Sequence, residues 1–480
     1  DHRPSMIIGT VDKFAMLAWR PEARSIFGFD SAGDRVLSPP GLIIQDELHL
    51  ISGPLGSMVG LYEPIIDELC TDRREGGVVR PKIIASTATI RSYEEQVKGL
   101  YGRDSVALFP PQGLEEGHSF FAEPDLHPDG TPKPGRRYLG VFSAAIGSFQ
   151  TVLTRSLAAL TRAPLEIPQG DRDGYWTNLS FFNSLRELGN ATSLLQSNIP
   201  DRLKGFARRD DVHARLPTRI LELTSRVRSD EIPQAIEELQ VAYSPGAKQQ
   251  QAVDICLASN IIEVGIDIDR LALMTIAGQP KTTAQYIQVS GRVGRRPDVS
   301  PGLVVTVYGP GNPRDRSHYE RFTTYHQSLY AQVEPTSVTP FTSPVLKRAL
   351  HAAAIAYIRQ SGDQSRSPFP FPENDYRRAV AILRERAEIV DQREISNLDE
   401  VAKERERSWK AWERSEWDAS QYAGDNEDGL MRVAGTPSPK PEDARTNWDV
   451  PMSMRNVDAE CHIKISTLYA RAEAESGESA

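Results

Sequence analysis

Between residues 42 and 307, short apolar runs rich in β-branched residues alternate with longer stretches of helical spacing. This alternation constrains the fold more than any other feature. Parallel strands need a crossover between them, and a helix usually supplies it. The sequence therefore predicts an α/β fold built on parallel sheets. In the first series, strands are expected at 41–45, 82–85 and 106–109, with helices over 55–69 and 92–100. A further strand-like run covers 6–10. Residues 110–137, rich in Pro, Gly and acid, read as a linker or loop insertion. Residues 138–160 read as a helix bridging into a second series, with strands at 179–182, 220–223, 254–258, 273–277 and 303–307. Helices are expected there over 185–198, 231–243 and 284–293.

Beyond residue 313 the pattern turns helical, and 377–420 carry a charged helical pattern. Residues 424–447 are polar and rich in Pro and Gly, which predicts loop or disorder. The expected organisation is a first domain over 1–137, a connector over 138–173, a second domain over 174–312 and a helical region over 313–480. The more apolar run at 448–465 could add a strand to this chain's own sheet or to a partner. The chain opens on Asp1 rather than Met, shortly ahead of a strand-like run, and reads as a piece cut inside its first domain.

Hydrophobic content of 39% and charged content of 25% suit a soluble globular protein. No apolar run reaches membrane-spanning length and no signal peptide is evident, so a cytoplasmic protein with no membrane contact is expected. Cys70, Cys256 and Cys461 form no C-x-x-C pair, which argues against a zinc ribbon, an iron–sulfur cluster or a disulfide framework. The histidines show no ligand spacing. With a net charge of −9, any nucleic-acid groove must be a local basic patch on an acidic body.

Several short strings carry chemistry. In LIIQDELH, Asp46 and Glu47 fall at the carboxyl end of an apolar strand, where open α/β sheets place ligand-binding groups. One carboxylate there can hold Mg²⁺ through its water shell, and the next can orient or deprotonate an attacking water. His49 would link that site to neighbouring segments. In ASTAT, the hydroxyls of the Ser86, Thr87, Ala88 and Thr89 stretch can bond the DELH strand end and relay nucleotide state. The run from Gln285 and Gln288 through Gly291, Arg292, Gly294 and Arg295 puts two arginines three apart on one helical face. Arginines delivered across a cleft stabilise charge on a transferring phosphoryl group. Upstream, Ser259 and Asn260 end a strand, and Gly265 and Asp267 follow in a loop able to touch ribose and nucleic-acid backbone. The SGPLG loop at 52–56 could admit a nucleic acid or a partner, or simply turn the chain into the next helix. No G-x-x-x-x-G-K-[ST] loop occurs in the chain.

In this order, these strings resemble motifs II, III, V and VI of superfamily 2 helicases. The resemblance spans about residues 6–310. It implies two RecA-like domains, the first lacking its opening segment, with ATP and Mg²⁺ between them. It implies that Asp46 and Glu47 serve the metal, and that Asp46, Glu47, His49, Gln288, Arg292 and Arg295 serve catalysis. Gly265, Asp267, Gln288, Arg292 and Arg295 would touch nucleotide. It also places weaker segments. Thr10 and Lys13 resemble motif Ib, Ser184 resembles motif IV, and Thr224, Ser225 and Arg226 resemble motif IVa. With Ser259 and Asn260 these residues would touch the nucleic-acid backbone. Val289 stands where many relatives carry a further basic residue. A narrower resemblance, carried by LIIQDELHLISGPLGSMVGLYE and the helices after motif VI, is to the large helicase-like subunit of bacterial DISARM phage-defence systems. It implies an ATP-dependent DNA helicase or translocase with a partner subunit. Without motif I, this chain alone is expected to be inactive. The rival reading is a nucleic-acid-binding scaffold whose ATPase is vestigial or completed by a partner.

Overall fold

The computed structural model describes residues 4–455, except 75, 88–91, 112–119, 122, 213, 225, 229–230, 247–250, 260–266, 298–299, 335–336, 419–428 and 436–444. In chain order the first elements are β1 (Leu42–Gln45), α1 (Gly53–Leu69), β2 (Lys82–Ala85), α2 (Tyr93–Tyr101), β3 (Arg137–Phe142), α3 (Phe149–Arg162), α4 (Asp173–Trp176) and β4 (Asn178–Phe182). Next come α5 (Leu185–Gln196), α6 (Asn198–Asp210), β5 (Ile220–Leu223), α7 (Ile232–Gln240), β6 (Ile255–Ala258), β7 (Leu273–Ala277), α8 (Thr283–Ser290) and β8 (Leu303–Tyr308). The chain finishes with α9 (Pro313–Glu320), α10 (Phe322–Gln327), α11 (Ser343–Ser361), α12 (Glu373–Val390), α13 (Ile395–Trp412), β9 (Glu416–Asp418), β10 (Gly429–Val433) and β11 (Trp448–Val450). These elements form two compact units: residues 1–87, 92–106 and 336–480 make one, and 88–91 with 107–335 make the other.

The 107–335 unit is built on a six-stranded sheet ordered β3-β8-β7-β4-β6-β5, every pair parallel. The fold class is α/β, as the alternation predicts. β4, β6 and β7 are buried along their whole length, as parallel strands covered on both faces must be. One core gathers Leu179, Phe181, Met274, Ile276, Tyr286 and Val304, and a second gathers Leu153, Leu157, Phe182, Leu188, Leu257 and Val307. The expected bridging helix over 138–160 is corrected here. Arg137–Phe142 is a strand in register with Leu303–Tyr308, and the helix begins only at Phe149. β3 is an edge strand, half exposed, so it lacks the fully apolar run that marks the central strands.

Helix α8 is held at both levels of its first turn. The Thr282 hydroxyl accepts from the Gln285 amide at 3.2 Å. Both Glu334 carboxylate oxygens accept from the buried Thr283 amide at 2.9 Å, and the Thr283 hydroxyl donates to Glu334 at 3.0 Å. An anion at this end also interacts favourably with the positive end of the helix dipole.

In the other unit, β1 and β2 pair parallel from Leu42↔Lys82 to Gln45↔Ala85. Around them the body is helical. Eleven of the nineteen residues of α11 are buried, five of them alanines, so neighbouring segments can approach its backbone closely. Gln360 donates to the Leu17 and Arg20 carbonyls at 2.8 and 2.9 Å, and Arg359 donates to that of Ala18 at 2.8 Å. The described residues of 337–455 therefore do not stand apart from the first segment, and 313–334 go with the other unit. This division differs from the expected boundaries at 137, 173 and 312. The expected strands at 6–10 and 106–109 carry no ladder. In the second case Pro110 and Pro111 follow, with no N–H to offer a neighbour. Within the expected loop at 424–447, Gly429–Val433 forms β10 because Leu430 and Met431 supply a buried apolar pair. β10 pairs parallel with β11 and β9. Trp448–Val450 thus joins this chain's own sheet.

Glu63 of α1 is buried beside Arg386, Asp67 and Arg103, and its Oε1 has no hydrogen-bond partner among the described residues. Burial pushes its carboxyl from 4.5 up to about 8. Between those values the folded chain keeps a proton that the unfolded chain has released, so stability falls as pH rises through that window. Buried His351, which burial holds down at about 3 against its ordinary 6.5, slopes the opposite way, but only below 6.5. Between pH 6.5 and 8 the His351 slope no longer offsets that of Glu63. The midpoint of urea unfolding should fall across that interval, and Glu63→Gln should flatten the fall; an unchanged slope in the variant refutes this assignment. Glu334→Ala should cost about 1 kcal/mol of α8 capping. Deuterium uptake across 282–290 should then quicken about fivefold, and uptake unchanged at Thr283 would exclude the cap.

Candidate nucleotide and nucleic-acid sites

The acid strings meet at the carboxyl ends of β1 and β2. The parallel ladder continues past the strands, since the Ser86 amide donates to the Gln45 carbonyl at 2.9 Å and the Leu48 amide to that of Ser86 at 2.9 Å. This register brings the Ser86 hydroxyl onto Asp46 Oδ1, to which the Glu47 amide also donates at 2.9 Å. Oδ2 of Asp46 is left without a protein partner among the described residues. Glu47 sits in the left-handed region (φ 51°, ψ 48°), a conformation costly for a side chain of this kind. The turn it makes returns its carboxylate to His49, whose Nδ1 lies 3.4 Å from Glu47 Oε2 and 3.3 Å from Thr87 Oγ1. His49 is buried, while Asp46 is exposed. Asp46, Glu47, His49, Ser86 and Thr87 therefore share one corner; Ala88 and Thr89 lie outside the described residues. Two neighbouring carboxylates with a free hard oxygen fit Mg²⁺, which takes one or two protein carboxylates and fills its shell with water and phosphate. Among the described residues no cluster of three or more His, Cys, Asp or Glu offers a fuller metal cage.

The SGPLG glycines lead into α1 and serve close packing by the chain itself. The Gly53 amide donates to the Ser337 carbonyl at 3.0 Å, and the Thr339 amide to the Ser57 hydroxyl at 3.1 Å. A Cβ at Gly60 would sit 3.1 Å from Pro340, and one at Gly56 2.8 Å from the Ile51 carbonyl oxygen and 3.1 Å from Val338. Residues 337–340 thus pack on α1, the helix that follows the acid corner in sequence.

The expected arginine helix is corrected. α8 ends at Ser290, and Arg292 and Arg295 ride the loop that follows. Glycine is the reason. Gly294 takes φ +66°, and a Cβ there would lie 2.5 Å from Gly302 Cα. Its amide donates to the Leu271 carbonyl at 2.8 Å, so the loop rests against the amino ends of β7 and β8. Arg295 pairs with exposed Asp267 at 2.7 Å, bringing motif V and motif VI residues together. Gln288 is half-buried on α8; Gly265 and Asn260 lie outside the described residues.

The remaining candidates of this unit fall at the opposite end of the sheet. Because all six strands are parallel and β5, β6 and β4 are adjacent, Arg226, Ser259 and Ser184 follow three neighbouring strand ends. Ser184 is exposed and caps α5, accepting from the Glu187 amide at 3.3 Å. Arg226 is exposed and Ser259 buried. Thr224 departs from the expectation that it faces a nucleic acid: it is fully buried and its hydroxyl donates to Glu222 at 2.6 Å. Ser225 lies outside the described residues. In the other unit Thr10 and Lys13 are both exposed, at the start of a 3₁₀ turn.

Two supporting residues escaped the sequence. Arg136 donates to the carbonyls of Val293 at 2.7 Å and Gly291 at 3.1 Å, stapling the arginine loop from the far edge of the sheet. Glu334 caps α8 from about fifty residues downstream in sequence. Neither belongs to a motif, and single-sequence reading has no signal for contacts at such separation.

Residues 206–297 match the model of the helicase conserved C-terminal domain. Over 391 residues the chain is 41% identical to the DISARM protein DrmA of Bacillus paralicheniformis, covering 75% of this chain and 34% of that one. Over 287 residues it is 23% identical to the ATP-dependent helicase HRQ1 of Saccharomyces cerevisiae, covering 58% of this chain and 22% of that one. The chain thus spans about a third or less of the length of these curated relatives. Among solved structures, the DUF1998 helicase MrfA bound to DNA and AMPPNP is similar with a TM-score of 0.47 and 18% identity, over 72% of this chain and 40% of that one. The Mycobacterium smegmatis helicase Lhr bound to ssDNA and AMP-PNP has a TM-score of 0.44 and 16% identity, over 76% and 40%. The ordered motifs, the helicase-domain match and the identity to DrmA agree: the chain is a superfamily 2 helicase-like protein of the DISARM type.

Proposed function

We propose that the chain carries motif-bearing parts of an ATP-driven DNA helicase or translocase serving a bacterial anti-phage defence system. The observation that carries this reading is the corner at the ends of β1 and β2. A strand end with two merely solvated acids has no need of a left-handed Glu47, a buried His49 beside it, and a serine of the next strand bonded to Asp46. Such a backbone conformation costs about 1–3 kcal/mol and is kept where function uses it. The 41% identity to a DISARM protein supports the defence setting.

In this reading Asp46 holds Mg²⁺, and the ion, when bound, offsets charge on the transferring phosphoryl group. Glu47 orients the attacking water and takes its proton, with His49 fixing its carboxylate. Ser86 and Thr87 couple that corner to the next strand. Arg292 and Arg295 place positive charge on the γ-phosphoryl group, for which Arg295 exchanges Asp267 for phosphate. Gln288, Gly265 and Asp267 complete the nucleotide contacts. Thr10 and Lys13, and in the other unit Ser184, Ser225, Arg226, Ser259 and Asn260, meet the DNA backbone. Hydroxyls, amides and cations aimed at phosphate impose little sequence preference. The protein works in the cytoplasm with a partner subunit of the defence complex. No helix among the described residues is long and apolar enough to cross a membrane.

The test is release of labelled phosphate from ATP by the full-length protein, with and without single-stranded DNA, beside Glu47→Gln. Turnover should depend on DNA and fall at least about 100-fold in the variant, the scale of a general-base contribution. Equal turnover in both proteins refutes the role of Glu47. Absent turnover with DNA binding intact would replace the motor by a nucleic-acid-binding scaffold.

A further inference from the structure

Most arginines in the 107–335 unit are spent on structure. Arg215 is buried, donates to the Trp176 carbonyl at 2.7 Å and stacks over the Trp176 ring. Arg270 donates to the Leu239 carbonyl at 2.7 Å, and Arg162 is bound by Asp210 and Glu166. Against that background one groove stands out. Between α3 and α6 lies an open cleft of about 680 Å³ whose lining includes Arg155, Arg202 and Arg209. Arg155 and Arg202 have no acid, carbonyl or ring partner among the described residues. Arg209 is held beside the Phe206 ring, 5.4 Å from its centroid, while pairing with Asp210 at 2.7 Å.

The polar lining of the groove is suited to an anion. Ser148, Gln150, Thr151, Thr154 and Asn198 add hydroxyls and amides. The Thr154 hydroxyl already donates to the Gln150 carbonyl at 2.7 Å, so the free donors are chiefly the guanidinium groups. Asp201 is the one carboxylate in the lining, and Lys204 lies 3.8 Å from it. Arg155 and Arg202 without an acid partner, and Arg209 shared with Asp210, face one neutralised acid and make a cationic surface on a chain whose net charge is −9. Arg155 and Arg202, without counter-ions of their own, repel one another, and that cost is recovered when an anion enters. Guanidinium forks match phosphate oxygens two at a time, which favours phosphate over a simple halide. The groove is open, and about 680 Å³ is room for more than one phosphate. It is lined by α3 and α6, separately from Ser184, Arg226 and Ser259 at the strand ends.

We infer that the α3–α6 groove is a second site for consecutive phosphates, with Arg155 and Arg202 as its principal ligands and Arg209 in support. The phosphates could belong to a nucleic-acid backbone or to a free polyphosphate. The site stands independently of the ATPase reading.

The test compares the whole protein with Arg155→Gln/Arg202→Gln and with the charge-keeping Arg155→Lys/Arg202→Lys. Both positions lie on the surface of the helices, and thermal melting without ligand checks that each variant folds. Inorganic tripolyphosphate should raise the melting temperature of the wild type and of the lysine variant, and the glutamine variant should lose the shift. In parallel, anisotropy of a labelled mixed-sequence single-stranded oligonucleotide is followed across salt concentrations. If the ligand is nucleic acid, the glutamine variant binds at least about tenfold more weakly, with a log–log salt slope shallower by about 1.4, two phosphates at about 0.7 each. If the oligonucleotide binds the two proteins equally while the tripolyphosphate shift is lost, the ligand is a free polyphosphate, and the site stands. If the protein binds no DNA yet loses the tripolyphosphate shift on substitution, the DNA reading of the preceding section fails and the groove survives it. A folded glutamine variant that keeps both responses overturns the inference.

Discussion

The burial of helix α11 is the constraint on which the acid corner depends. Its run of alanines gives a helix thin enough for several segments to reach its backbone, and each contact removes apolar surface from water at about 25 cal/mol per Å². Polar groups at its carboxyl end then fix what packs there. Gln360 and Arg359 take up carbonyls of residues 17–20, and Arg24 returns the favour to the carbonyls of Arg359 and Gly362. Carbonyls left open by 3₁₀ turns must be satisfied when buried, so this is more than decoration. Ahead of α11, residues 337–340 lie in the cradle of Gly56 and Gly60 on α1, the helix that follows Asp46, Glu47 and His49. The geometry of a motif near residue 46 is thus set partly by sequence three hundred residues away.

The other unit solves a different problem. A parallel sheet has two chemically distinct ends, and this one uses both. The carboxyl ends of β4, β5 and β6 lead into Ser184, Arg226 and Ser259. The loop bearing Arg292 and Arg295 is tied to the amino ends of β7 and β8 by Gly294 and by Arg136. α8 spans the distance between them, anchored at Thr283 by Glu334. Because the helix is short, moving its first turn must move the arginine loop at its other end, unless the glycines absorb the shift.

Legibility followed the range of the interactions involved. The central strands were readable, since burial on both faces leaves continuous apolar runs such as LMTIA at Leu273–Ala277. β3 was not, because an edge strand keeps one polar face and 138–160 carries enough helical spacing to mask it. That Asp46, Glu47, Ser86 and Thr87 lie together was legible because their contacts are made through one ladder, whose register follows from parallel pairing. The end of α8 at Ser290 was misjudged even though both glycines were visible: only the close approach of Gly302 shows that position 294 cannot be helical. The assignment of residues 336–455 to the same unit as β1 and β2 was beyond reach. Nothing local in an alanine-rich helix names the surface that will bury it.

The division of labour among the arginines extends the same logic. A guanidinium has five donors and keeps its charge at any working pH, which suits it to tying together backbone carbonyls that no helix or sheet satisfies. Arg24, Arg136, Arg215, Arg270, Arg359 and Arg386 all serve this way. A chain rich in such staples can carry a high arginine content and still present an acidic surface overall. Counting basic residues therefore says little about where anions bind. What discriminates is whether a guanidinium still has donors to give. By that criterion exposed Arg226 and the arginines of the α3–α6 groove are among those in the 107–335 unit with donors to give, while Arg295 is held in reserve by Asp267.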